Sequence, residues 1–356
     1  MFTVILPGLL FEAAFSMKFS ELWRNKLALG WLAAPGVIAV IGLTALMLLG
    51  ANQLLDELKG FGLRQALMFG AIIAATDPVA VLGVFGGLSV PRRLKVLVGG
   101  ESLLNDGTGI VLFNLVLGLS VRGDFSALAA AIDFARVVGL GALLGVATGL
   151  VISRLIKRLD DPMVEITLTL IAAYGTFVLA EHFHVSGVIA TVVAGTLCGT
   201  DAHQSGMSEK TMEAVNSFWD YLAFALNSVV FLLIGIEVEP VSLLHAWEPI
   251  LLAYGSMTAA RGILLLATSS VLRFTRESFP WKWTAVLAWG GLRGALAMVL
   301  ALGLPLHFAG RGKLITMTFG AVVLSIVVQG LSMPLLLRWA HFDSPNSKES
   351  EPTLAD

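Results

Sequence analysis

The chain has 356 residues, of which 56% are hydrophobic and only 13% charged, with a mean hydropathy of +0.84 and a net charge of −2. An ordinary soluble domain is about 45–50% apolar and about 25% charged, so a water-soluble globular protein is excluded. The near-zero net charge excludes nucleic acid as a partner, and the single cysteine, Cys198, excludes an internal disulfide and a cysteine-based metal cluster.

Eleven apolar segments follow one another at 2–17, 27–50, 65–88, 94–120, 131–153, 163–181, 185–200, 215–237, 247–272, 281–303 and 312–338. About 20 apolar residues span a bilayer. Every backbone group in hydrocarbon must be satisfied internally, and runs this long and uniformly apolar suit helices rather than barrel strands. The fold class expected is therefore an all-α polytopic membrane protein, one transmembrane domain over 1–340 with a short disordered tail at 341–356. It has the lipid bilayer as its solvent.

Taken in chain order, the segments carry few charges, and each needs a reason, because a charge at the bilayer centre costs roughly 2.5–3.5 kcal/mol. Glu12, in Leu9-Leu10-Phe11-Glu12-Ala13, fits protonated packing, an interface contact or an auxiliary ion-site group. The third segment holds Thr76-Asp77-Pro78. Proline lacks a backbone donor and disfavours helix at the residue before it, so the chain should unwind here and release carbonyls and the Thr76 hydroxyl, hard ligands suited to Na⁺. In the fourth segment, Gly100-Glu101-Ser102-Leu103-Leu104-Asn105-Asp106, Ser102 and Asp106 are four apart on one face with Asn105 beside them. Glu101 lies five residues from Asp106, about 140° round the helix, and so needs its own cation. Arg293, in Gly290-Gly291-Leu292-Arg293-Gly294 of the tenth segment, is the expected partner in a structural buried pair, and Arg261 is expected to snorkel to the cytoplasmic end of its run. Gly141, Gly145 and Gly149 have the small-xxx-small spacing of close helix packing.

Links on one side carry Lys18, Arg24, Lys26, Arg92, Arg93, Lys95, Arg154, Lys157, Arg158, Lys210, Arg273, Arg276, Lys282, Arg338 and Lys348, and opposite links only Lys59, Arg64, Arg122, Arg136, Arg311 and Lys313. The positive-inside rule then makes the C-terminus cytoplasmic and places Met1 outside a cell membrane. An external start directly at a spanning run leads to the expectation that two leading helices precede this chain. Thr-Asp-Pro and Gly-Gly-Leu-Arg-Gly lie in the third and tenth of the segments, seven steps apart, so they cross in opposite directions, as inverted-repeat partners do.

ATDPVAV, then GESLLNDGTGIVLF, with LPGLLFEAAF upstream and GGLRGALAM near the end, resemble the monovalent cation:proton antiporters of the CPA1 branch, sodium/proton antiporter P (NhaP) type. The resemblance covers essentially the whole chain. It implies a homodimer of thirteen-helix protomers, each with a dimerisation domain and a six-helix core, of which the segments here match the third to the thirteenth helix. It implies an ion site of Thr76, Ser102 and Asp106, with Glu12 joining through water, Asp77 neutralising half-helix ends, and Asn105 as a support. It gives Glu101 and Arg293 the role of the stabilising pair, and it associates Asn105-Asp106 with electroneutral exchange.

Competition at Asp106 is the expected mechanism: deprotonated it binds Na⁺ or Li⁺, protonated it carries H⁺, one for one, with no cofactor. K⁺/H⁺ exchange and, in a different class, a cation channel using the same carbonyls stay open. A hydrolase has only Ser186-Gly187 near His184 to stand on, with no HExxH or GxSxG motif, so the chain is read as a transporter and not an enzyme.

Overall fold

A computed structural model describes residues 2–51, 61–122, 127–202, 207–237, 240–275 and 277–342. Lys59, Arg276, Lys348 and the expected tail from 343 onward lie outside the described residues. His341 and Phe342, the first two residues of that expected tail, instead close the last helix through His341 N–H to Arg338 O and Phe342 N–H to Leu337 O.

Among the described residues the elements are helical, with no strand. They are α1 (Phe2–Phe15), α2 (Lys26–Ala51), α3 (Leu63–Ile73), α4 (Val79–Gly86), α5 (Arg92–Arg122), α6 (Ala127–Ile156), α7 (Pro162–His182), α8 (Gly187–Asp201), α9 (Glu209–Glu237), α10 (Trp247–Leu272), α11 (Trp281–Trp289), α12 (Ala295–Leu302) and α13 (Arg311–Trp339), with short helices Phe19–Arg24 and Pro240–His245 in the links. Seven of these, α2, α5, α6, α7, α9, α10 and α13, are long and apolar enough to cross a membrane. The third and tenth apolar segments each consist of two half-helices, α3–α4 and α11–α12, separated by non-helical chain.

The chain divides into two compact units, Met1–Arg24 with Ile110–Gly235, and Asn25–Gly109 with Ile236–Asp356. In the first unit α8 is the central helix, and the glycine series explains how α6 reaches it. A Cβ on Gly141 would lie 2.8 Å from Ser186 O, one on Gly145 would overlap Ala190 O, and one on Gly149 would lie 3.1 Å from the Ala194 Cα. Four-residue steps on one helix meet four-residue steps on the other, so the backbones touch. Phe11, Phe15, Ala173, Cys198 and Trp219 pack into one core there, with the Trp219 Nε1–H donating to Thr169 Oγ1 at 3.0 Å.

The second unit holds α2, α3, α4, the first part of α5, and α10 to α13. Pro35 cannot continue a helical ladder, and α2 answers with a π-helical turn at Leu32–Gly36. The Thr108 hydroxyl donates to Ala33 O in that turn, fastening α5 to α2. On the loop after α10, the Glu277 carboxylate accepts the first N–H groups of α2 from Leu27 at 3.2 Å and Ala28 at 2.9 Å, supplying the cap that Asn25, whose Oδ1 accepts from Arg93 Nε, does not. Large apolar side chains such as Leu46 and Leu266 are exposed, as lipid-facing positions are.

Candidate functional site

The first break is dictated by Pro78. Residues 74–78 lie outside any helix between α3 and α4, which strips the carbonyls of Ala74, Ala75 and Thr76 of their helical partners. The second break, over 291–294, contains no proline. There glycine makes room for other side chains: a Cβ on Gly291 would overlap the Arg261 guanidinium, and one on Gly294 would overlap the Asp77 carboxylate.

The two breaks are joined. The Asp77 N–H donates to Leu292 O at 2.8 Å. The Arg293 Nη1 donates to Ala74 O at 2.8 Å and Ala75 O at 3.0 Å, so a cation covers the C-terminal, negative end of the α3 half-helix. Arg261 does the same for α11, with Nε and Nη2 donating to Leu287 O at 3.1 and 2.8 Å. Asp77 serves the opposite ends: Oδ1 accepts the Val79 N–H at the start of α4 at 3.0 Å, and the carboxylate lies against Gly294 at the start of α12. Each half-helix end thus meets a charge of the sign its dipole favours.

The expected Glu101–Arg293 pair is corrected. Glu101 is paired with Arg261, bidentately, through Nη1 to Oε1 at 2.7 Å and Nη2 to Oε2 at 2.9 Å. Arg293 is committed to the carbonyls of the first break and leaves Glu101 to the arginine of α10. Arg261 does not snorkel either: it is 5% exposed. A planar guanidinium meeting a carboxylate through two parallel bonds is the geometry that makes a buried pair tolerable.

The remaining expected site residues divide between the two units. The Ser102 hydroxyl donates to Thr76 O, placing α5 directly on the first break. Asn105 Nδ2 donates to Glu101 Oε1 at 3.0 Å, while Oδ1 is buried without a partner among the described residues; Asn105 therefore braces the Glu101–Arg261 pair. Asp106 is partly accessible, lies near enough to Asp77 for their charges to interact, and has no hydrogen bond or ion pair among the described residues. Glu12 belongs to the other unit, half-buried on α1 and within electrostatic range of Asp220 on α9. Sequence reasoning missed the capping role of Arg261 and the contribution of Ser325, whose Oγ accepts the Arg293 N–H at 3.2 Å. A signal existed for Arg261: it stands 11 residues before the end of α10, about 16 Å along the axis, beyond the reach of an arginine stem.

The sequence profile of the family described as sodium/hydrogen exchanger, transmembrane, matches residues 1–339. Among curated relatives, the chain is 37% identical to the Na(+)/H(+) antiporter ApNhaP of Aphanothece halophytica, over 94% of this chain and 63% of that protein. It is 34% identical to the Na(+)/H(+) antiporter NhaP of Pseudomonas aeruginosa, over 97% of this chain and 82% of the relative. The chain therefore spans 63% of the length of relatives such as the Aphanothece protein. Its fold is similar to the solved structure of the sodium proton antiporter MjNhaP1 from Methanocaldococcus jannaschii at pH 8, with a TM-score of 0.77 at 22% identity, covering 94% of this chain and 83% of that one.

Proposed function

The chain belongs to the sodium/hydrogen exchanger family of transmembrane proteins, and from that premise we propose that it exchanges Na⁺ or Li⁺ for H⁺, one for one, at Asp106. One observation carries the reading. Of the described membrane-embedded carboxylates in the second unit, Glu101 is held by Arg261 and Asp77 by the Val79 N–H, whereas Asp106 is partly accessible and has no such partner among the described residues.

The chemistry follows from what surrounds it. The Ser102 hydroxyl spends its proton on Thr76 O and keeps its lone pairs. With Asp106 ionised, Ser102, Thr76 and the carboxylate offer a small hard cation an all-oxygen site. With Asp106 protonated, the site is neutral without a cation. The ionised, cation-free form is the one whose transfer through hydrocarbon is most costly, so the two loaded forms move and the empty one does not. One carboxylate holding either one proton or one Na⁺ gives electroneutral exchange. Arg261, Arg293 and Asp77 hold the half-helix ends so that the site keeps its shape in both forms. The protein works as a homodimer in the cell membrane with a cytoplasmic C-terminus, serving pH and sodium homeostasis.

The test is flux through reconstituted vesicles under opposed ion gradients. Na⁺ and Li⁺ are expected to drive proton movement across a pH series, strictly by counter-transport and insensitive to membrane potential. Proton-independent cation leak, or K⁺ as the preferred cation, would contradict the reading.

A further inference from the structure

The second unit contains the same order of elements twice: a long helix, a broken crossing and a closing helix, first as α2, α3–α4 and α5, then as α10, α11–α12 and α13. In both copies a serine of the closing helix touches a break. Ser102 Oγ donates to Thr76 O, and Ser325 Oγ accepts the Arg293 N–H. Four residues beyond each serine, one turn along the same face, stand Asp106 in the first copy and Gln329 in the second. A carboxylate in one repeat is matched by a neutral amide in the other.

The exchange chemistry leaves Gln329 unused, yet it is 2% exposed and its Oε1 has no hydrogen-bond partner among the described residues. Buried acceptors are rarely left so. The chain beside it abuts the second break: a Cβ on Gly330 would lie 3.3 Å from Leu292 Cδ2, and the Trp289 Nε1–H donates to Ser332 Oγ at 2.7 Å. Arg293 is 1% exposed, and its Nε–H has no partner among the described residues. Ser325 and Gln329 share the π-helical turn Ser325–Gly330, a form concentrated at functional positions.

We propose that Gln329 is a positioning residue for Arg293, its Oε1 holding the Nε–H through one bound water so that Nη1 faces the Ala74 and Ala75 carbonyls. A water that accepts from Nε–H keeps protons to donate to the Gln329 Oε1. A carboxylate at 329 would pair with Arg293 and draw it off the carbonyls; an amide holds it by hydrogen bonding and leaves its charge on the half-helix end. The inference rests on the exchange reading, because it assigns Gln329 to the scaffold of that same site.

The test compares Gln329→Leu, Gln329→Asn, Arg293→Lys and the Gln329→Leu/Arg293→Lys double variant, as full chains in detergent and in vesicles. Leu is close to Gln in size but cannot accept; Asn is shorter but can; Lys keeps the charge of Arg293 and loses the Nε–H. Gln329→Leu is expected to raise the half-saturating Na⁺ concentration roughly three- to tenfold, Gln329→Asn less, and the Leu substitution less than twofold further when Lys is at 293. A role in packing alone predicts the reverse order of Leu and Asn, and that order, or an additive double variant, would overturn the proposal. The same order is expected in melting temperature, which needs no transport. A wild type without exchange therefore sinks the exchange reading, while the melting order still decides for or against Gln329.

Discussion

The Asp77 carboxylate occupies the space that a side chain at Gly294 would need, although the two residues belong to different crossings. Asp77 Oδ1 meanwhile accepts the Val79 N–H at 3.0 Å, so a single carboxylate stands at the N-terminal ends of two half-helices, α4 and α12. The partial positive charges there are satisfied without a second acid, and the two breaks are locked in register by the Asp77 N–H to Leu292 O bond.

Gly294→Ala should therefore displace Asp77 or pry the breaks apart. Overpacking of this kind costs about 1–3 kcal/mol, and exchange should fall by more than tenfold in vesicle assays. Gly83→Ala, inside α4 with nothing within 4 Å of the added Cβ, should leave exchange unchanged and hold or slightly raise stability, since Gly inside a helix costs about 0.5–1 kcal/mol relative to Ala.

The Glu101–Arg261 pair makes a sharper stability prediction. Removing one partner of a buried pair leaves an uncompensated charge, at a cost of about 3–5 kcal/mol. Glu101→Gln and Arg261→Met should each lower the melting temperature in detergent strongly, and the double variant should recover part of the loss. A double variant no better than the worse single would show that the two act independently.

In the first unit Glu165 is wholly buried, and neither carboxylate oxygen has a partner among the described residues. An unsatisfied buried group costs roughly 1–3 kcal/mol, so Glu165→Gln should hold or raise the melting temperature. A marked fall would mean that the carboxylate has a partner this account lacks.

Much of the site was legible because covalent chemistry fixes it. Pro78 must break its segment, and five residues from Glu101 to Asp106 must point the two acids apart. The choice of Arg261 over Arg293 was not legible, since it depends on how α10 packs against α5 across 160 residues of chain. Nor does anything local mark Ser325 or Gln329, polar residues in an ordinary apolar run, until the second break is seen to lie against them. Hydropathy follows the path through the bilayer and is blind to whether the backbone inside it is wound, so the break at 74–78 was legible from Pro78 and the one at 291–294, which has no proline, only from its place as the opposite crossing.

If proton and cation compete for one carboxylate, the pH dependence has a fixed sign. Protonation removes the cation's principal ligand, so the half-saturating Na⁺ concentration should rise as pH falls, approaching tenfold per pH unit once Asp106 is mostly protonated, while the maximal rate stays constant. This is read from initial rates over a grid of pH and Na⁺. A half-saturation independent of pH would mean that the two ions use separate sites.

The central claim is that both ions are carried at Asp106, and Asp106→Asn tests it most directly. The amide keeps the size of the side chain and removes its charge, and no hydrogen bond or ion pair among the described residues is lost with it. Reconstituted Asp106→Asn protein, folded and melting as wild type does, should show no Na⁺-driven proton movement above empty vesicles. Exchange retained by that variant would contradict the account.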